Sequence, residues 1–185
     1  DLTSELNIDA EYTINQYDVS FDTNGGSFIN TLSSDFGFVI TEPTIPQKNG
    51  YDFMGWYKES SLTNEWDFES DLMPAENIKL YAKWMIINYN VTFKDYNGEV
   101  LKTEFVEHGS GTTAPTSPIR HGYTFDGWDV GYNEITSDLI ITAEYIVNQY
   151  SISFDSNGGS NVGSIVADYD STISPPPTPT KEGYA

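Results

Sequence analysis

Asp22-Thr-Asn24-Gly-Gly26 places oxygen-bearing side chains at alternate positions, the arrangement a hard cation such as calcium favours. A calcium loop of the EF-hand type ends on a Glu, and that last position here is Ser33. The corresponding Lys94-Asp-Tyr-Asn97 segment loses the spacing altogether. What remains is a turn reading for Asn24-Gly25, Asn97-Gly98 and Asn157-Gly158, because Asn-Gly supplies the positive φ of a tight hairpin. His108 and His121 stand in different loops, with no second His or Cys at ligand spacing, and are expected to be exposed bystanders. Carboxylates are plentiful but recur nowhere as a spaced pair at strand ends, so a glycosidase dyad has no support. Serines lie in turns without a nucleophile-elbow pattern or a repeated His partner. The sequence therefore assigns no catalytic residue, no metal ligand and no cofactor, and it leaves the binding residues open.

Composition narrows the partners. Formal net charge is -20, scattered rather than blocked. Such a surface repels phosphate backbones and anionic headgroups, which argues against nucleic acid and membrane surfaces. No apolar run approaches the ~18 residues of a membrane span. Cysteine is absent, which removes disulfide frameworks and thiolate sites together. Apolar residues make up only 38% of the chain while aromatics reach 15%, a balance suited to several small aromatic cores rather than one large aliphatic core.

The elements that hold these residues repeat. Gln16-Tyr-Asp-Val-Ser-Phe-Asp-Thr-Asn-Gly-Gly-Ser27 aligns without gaps to segments starting at Asn88 and Gln149. Gly50-Tyr51-Asp-Phe53-Met-Gly55-Trp56 matches Gly122-Tyr123-Thr-Phe125-Asp-Gly127-Trp128, and Gly183-Tyr184 begins the same motif again. Tyr17 to Tyr51, Tyr89 to Tyr123 and Tyr150 to Tyr184 are each 34 residues apart. Leu80-Tyr-Ala82-Lys-Trp84 and Ile141-Thr-Ala143-Glu-Tyr145 close the first two copies, and the first is lengthened by one insertion within residues 57–77. Residues 1–12 parallel the closing strand around Leu139 to Tyr145, so the sequence reads as a window on a longer array.

Alternation fixes the strands. Tyr17, Val19 and Phe21 point one way while Asp18, Ser20 and Asp22 point the other, as in a strand with one buried face. A second strand is expected near Ser27 to Leu32 and Val100 to Val106, a third at the Gly-Tyr motif and a fourth at the closing motif. The buried parity gives a core of Tyr17, Phe21, Tyr51, Phe53, Trp84, Tyr89, Phe93, Tyr123, Phe125 and Tyr145. Core is a better reading for these aromatics than a sugar-stacking platform. Trp56 and Trp128 fall on the opposite parity, either under the covering segment or as an exposed strip. Prolines 43, 46, 115 and 118 leave a crossing loop with at most a short helix. Four β-branched or apolar-rich residues join each closing aromatic to the next Tyr (Thr13 to Gln16, Met85 to Asn88, Ile146 to Gln149), which predicts a stiff connection and a rod.

Tyr-x-Val-x-Phe-Asp-x-Asn-Gly-Gly, Pro-x-x-Pro-x-x-x-Gly-Tyr-x-Phe-x-Gly-Trp, Trp66-Asp-Phe68 and Leu-Tyr-Ala-Lys-Trp together resemble the internalin-type B-repeat, or Listeria–Bacteroides repeat. The resemblance covers almost the whole chain, best over residues 17–84. It implies a mostly β (α+β) fold of tandem β-grasp-like, ubiquitin-like units in an elongated rod. The division is 1–12 (closing strand of an upstream repeat), 13–84 (full repeat), 85–145 (shortened repeat) and 146–185 (opening half). The resemblance also implies an extracellular, cell-surface or cell-wall setting and a non-catalytic spacer or adhesive stalk. The alternative is a module that binds a host surface protein or glycan through exposed aromatics. A monomer is expected, with weak end-to-end pairing between residues 1–12 and the opening strands of residues 146–185.

Overall fold

The computed structural model describes residues 9–184, and the regular structure among them consists of strands. The chain divides into two compact units between Ile87 and Asn88. In the first, β1 (Gln16–Asp22), β2 (Leu32–Asp35), β3 (Tyr51–Tyr57) and β4 (Ile78–Ile86) form a sheet in the order β2-β1-β4-β3. β1 is antiparallel to β2 but parallel to β4, while β3 runs antiparallel along the other side of β4. The opening and closing strands of the unit thus lie side by side at the sheet's centre. That placement is why Val19, Leu80 and Ala82 are almost fully buried. The second unit builds the same mixed sheet from β5 (Asn88–Lys94), β6 (Val100–Glu107), β7 (Tyr123–Trp128) and β8 (Leu139–Val147), in the order β6-β5-β8-β7. It continues into a two-stranded antiparallel sheet of β9 (Gln149–Ile152) and β10 (Ile165–Asp168).

Strict alternation fails at the Gly-Trp strand. The β3–β4 register shifts between Phe53 and Trp56, and the β7–β8 register shifts between Phe125 and Gly127. Gly55 (φ 118°) and Gly127 (φ 140°) carry the bulges, in backbone conformations that L side chains rarely adopt. Each bulge turns the following Trp back to the side of the preceding Phe. Trp56 is 2% exposed and belongs to the core, not to an exposed strip. The rings interlock edge to face: Phe21 on Trp56 at 4.7 Å, Trp56 on Phe53 at 5.4 Å, Phe53 on Trp84 at 5.4 Å. The second unit repeats the series with Phe93, Trp128, Phe125 and Tyr145 at 4.9, 5.4 and 5.9 Å. Such geometry adds to burial by aligning ring edges with ring faces.

The α component of the expected fold is absent, since no helix occurs among the described residues. Pro43 and Pro46 withhold N–H groups and push their predecessors out of the helical region. Their segment is fastened otherwise: Ser27 N–H donates to the Gln47 carbonyl at 2.8 Å, and Gln47 N–H donates to Ser27 Oγ at 2.9 Å. β2 begins only at Leu32, later than alternation suggests, because the turn before it stands against the Trp84 indole. A Cβ on Gly26 would lie 2.5 Å from Trp84 Cζ2.

The insertion is core as well. Trp66 (8% exposed) and Met73 (1%) are buried in the first unit's cluster with Phe68 packed against it. Gly37 N–H donates to the Met73 carbonyl, and Met73 N–H to that of Phe38. In the shorter unit Ile135, 1% exposed, plays the Met73 part: Gly109 N–H donates to its carbonyl, and its own N–H donates to that of Ser110. Tyr132, edge-on to Phe93 at 5.5 Å, adds a ring there. The upstream closing strand assigned to 1–12 falls mostly outside the described residues, Leu6 and Ile8 included; Asp9 to Tyr12 are irregular and exposed.

Candidate functional site

Among the aromatics read as core, Phe93 is fully buried. Tyr17, Phe21, Phe53 and Trp84 are half-buried against the first cluster, and Tyr89 against the second. Tyr51, Tyr123, Phe125 and Tyr145 are half-buried beside them. The turn residues Asn24 (φ 47°), Gly25 (85°), Gly98 (87°), Asn157 (47°) and Gly158 (82°) have positive φ, whereas Asn97 does not. Asp22 Oδ1 is used within its own turn, accepting from Asn24 N–H. No group of three His, Asp or Glu among the described residues could hold a metal ion.

His121 is exposed, as expected, and His108 is half-buried, but each meets a tyrosine. Tyr89 Oη and His108 Nδ1 lie 3.4 Å apart, and His121 Nδ1 and Tyr169 Oη 2.8 Å apart. The second pair leads to the best-built polar site in the chain, where the third copy meets the second within the second unit. Asn148 is the single residue between β8 and β9. Its N–H donates to the Gly122 carbonyl at 2.9 Å, and its carbonyl accepts from Tyr169 N–H at 2.8 Å. Thr124 Oγ1–H donates to its side-chain Oδ1 at 2.6 Å. Over this clamp Tyr169 packs edge-on against His121 (5.1 Å) and Tyr123 (6.3 Å) and lies tilted against Tyr150 (6.4 Å). Gly122 makes the approach possible, since a Cβ there would fall 2.1 Å from the Tyr169 ring. Within the first unit the two halves of the clamp occur separately: Ile87 N–H donates to the Gly50 carbonyl, and Phe36 N–H to that of Asn15.

A second recurring device is a cation on the Gly-Tyr ring. Lys48 Nζ lies 4.3 Å from the Tyr51 centroid, the Arg120 guanidinium 3.6 Å from Tyr123, and Lys181 Nζ 4.9 Å from Tyr184. Lys48 and Lys181 also donate to the carbonyls of Asn24 and Asn157, both at 3.0 Å, pinning the Asn-Gly turn to the segment that leads into the Gly-Tyr motif. In the middle copy Arg120 instead stacks on Tyr96 at 4.1 Å. Alternation could not disclose either device. The alignment columns Lys48, Arg120, Lys181 and Phe36, His108, Tyr169 carry the signal, in loops where strand parity says nothing.

Tyr145 replaces the closing Trp by a related bond. Trp84 Nε1–H donates to the Thr23 carbonyl at 2.8 Å, while Tyr145 Oη–H donates to Asp95 Oδ1 at 2.6 Å. Burial and the Asp95 carboxyl push the Tyr145 pKa up to about 12. The outer face of the second sheet carries a shallow groove of about 520 Å³ whose lining includes Thr92, Lys94, Val100, Thr103 and Ile140. Phe105, on the same strand as Val100 and Thr103, is 75% exposed.

The description of the Listeria-Bacteroides repeat domain matches residues 17–83, 89–144 and 150–185. The chain is 41% identical over 186 residues to a protein of Evansella cellulosilytica described as a membrane protein, covering 95% of this chain and 28% of that one. A second protein of that organism, described as a Gly-rich membrane protein, is 38% identical over 193 residues, covering 99% of this chain and 22% of its own length. Internalin H of Listeria monocytogenes is 42% identical over 112 residues, 60% of this chain and 20% of that protein. This chain therefore spans less than a third of each relative's length.

Proposed function

The chain belongs to the Listeria–Bacteroides repeat domain family, and from that premise we propose that it is a non-catalytic spacer in an extracellular, wall-associated adhesive protein. The clamp at Asn148 carries this reading. A connection of one residue, bonded through its N–H, its carbonyl and its side chain, has little torsional freedom left. Joints of that kind, repeated along an array, make a rod of β-grasp-like units. The mixed sheet with its first and last strands parallel at the centre supports the β-grasp comparison. Relatives described as membrane proteins and as an internalin support the surface setting. Small-angle scattering over a concentration series tests the proposal. A spacer scatters as an extended monomer, with end-to-end growth only at high concentration; a compact globule or freely hinged beads contradicts it.

A second reading, a module that binds a host surface protein or glycan, is favoured by one feature. The outer face of the second sheet exposes Phe105, Val100 and Ile140, where aligned positions in the first unit carry Ser33 and Lys79 for Phe105 and Ile140. Glycan-array and cell-binding assays on the intact chain and on Phe105→Ser separate the two. Retention lost in the variant supports binding; no retention by either leaves spacing alone.

A further inference from the structure

The joint at Asn148 is borne by a tight turn, Arg120 to Tyr123, closed where Tyr123 N–H donates to the Arg120 carbonyl at 3.1 Å. Within it His121 meets the Tyr169 phenol, the Gly122 carbonyl takes the Asn148 N–H, and the Tyr123 ring stands edge-on to Tyr169. A clamp is only as stiff as the chain that bears it. In the first copy the segment entering the aligned turn is fastened by the two-way bond between Ser27 and Gln47, at 2.8 and 2.9 Å. The third copy repeats that bond between Ser160 and Thr180, at 2.7 and 2.9 Å. In the middle copy Glu99 and Ile119 stand at the aligned positions. Glu99 N–H is spent on Asn97 Oδ1 at 2.9 Å, and Ile119 is 95% exposed. Among the described residues no backbone hydrogen bond fastens the chain over 114–119. The turn that carries the joint thus lacks the fastening its counterparts have.

We propose that Arg120 is the positioning residue that ties this turn to the sheet of its own copy and so keeps the Asn148 joint stiff. Its guanidinium lies 3.6 Å from the Tyr123 centroid, 4.1 Å from that of Tyr96 and 5.7 Å from that of Tyr145. Tyr96 belongs to the turn after β5 and Tyr145 to the closing strand β8, and their rings meet edge to face at 5.7 Å. One side chain therefore joins the joint-bearing turn to two elements of the sheet. The inference rests on the spacer reading, since it names what holds the clamp that reading requires.

Alignment sets Arg120 against Lys48 and Tyr96 against Asn24. Guanidinium on ring replaces ammonium on carbonyl. Lysine cannot take over at position 120, because a planar guanidinium stacks on aromatic faces and a compact ammonium does not. Asn24, moreover, offers its carbonyl to Lys48 from a left-handed backbone, φ 47°, which Tyr96 does not adopt.

Residual dipolar couplings on the intact chain, on Arg120→Lys and on Tyr96→Leu test the proposal. Lost stability alone leaves the couplings of a folded chain unmoved, whereas a loosened joint does not. In each variant β5 to β8 should keep one alignment tensor, which reports an intact sheet. β9 and β10 should then need a second tensor of smaller magnitude, and the Tyr169 amide resonance should shift. Tyr96 is 50% exposed, so its variant keeps the test decisive should Arg120→Lys disturb the sheet itself. One tensor in the parent and in both variants would overturn the role of Arg120 and leave the clamp standing. A split with Arg120→Lys but none with Tyr96→Leu would overturn the tie to the turn after β5. Two tensors in the parent would remove the clamp, and the spacer reading with it.

Discussion

The Tyr145 phenol donates to Asp95 Oδ1 at 2.6 Å, the counterpart in the second unit of the 2.8 Å bond from the Trp84 indole to the Thr23 carbonyl. Two departures of the middle copy, its closing Tyr and its altered turn, are thus one coupled change. Asp95 is 7% exposed and also accepts from Tyr96 N–H. Tyr145→Phe removes one of two donors from a buried carboxyl and is expected to cost about 1.5–3 kcal/mol in urea unfolding of the second unit. A double-mutant cycle with Asp95→Asn should give a coupling of about 1 kcal/mol or more, and additivity would refute the link.

The same bond sets a pH window. Burial first, and then the Asp95 carboxyl, raise the folded Tyr145 pKa to about 12 from its ordinary 10.0. The neutral phenol's contribution is therefore complete below pH 10 and lost as pH rises toward 12. Relative to the parent, Tyr145→Phe should show a flatter fall in stability across that window, and the ultraviolet phenolate titration should lose its latest component. Identical alkaline profiles would contradict the assignment.

Trp66 and Trp84 separate packing from hydrogen bonding. Trp66 Nε1 is buried without a hydrogen-bond partner among the described residues, whereas Trp84 Nε1 has one. Trp66→Ala should cost about 3–5 kcal/mol, like other buried aromatic truncations and like Trp56→Ala. Trp66→Phe should be mild, because it also deletes an unsatisfied donor; Trp84→Phe should cost more, by about 1 kcal/mol, for the bond it breaks. Equal losses for the two Phe variants in denaturant melts would show that the indole nitrogen of Trp66 is satisfied.

How much of this was legible in the sequence depends on how local the cause is. Alternation from Tyr17 to Asp22 and from Asn88 to Lys94 is a two-residue period, and it located the central strands. Trp56 escaped it because one glycine at positive φ shifts the period, and nothing in the spacing of Phe53 and Trp56 distinguishes a bulge from a regular pleat. Trp66 and Met73 escaped because they lie in irregular chain, where no period reports burial; Met73 is held by Gly37 and Phe38, far away in sequence. The clamp at Asn148 was half legible: the shortness of the connection can be read from the spacing of the motifs, but Tyr169 lies 21 residues further on, in a loop.

Gly122→Ala tests that clamp at its tightest point. The residue has φ 79°, and its added Cβ would overlap the Tyr169 ring. Strain of about 1–2 kcal/mol is expected from the backbone alone. The displaced ring should also move the amide resonances of Asn148 and Tyr169. Unmoved resonances would mean that Tyr169 does not sit on Gly122.

Residual dipolar couplings across residues 88–184 test the stiff joint most directly. A clamped Asn148 requires one alignment tensor to fit the couplings of β5 to β8 and of β9 and β10 together. Tyr169→Ala should split that fit into two tensors of unequal magnitude. Two tensors in the parent chain would mean a hinge at Asn148 and would contradict the spacer account.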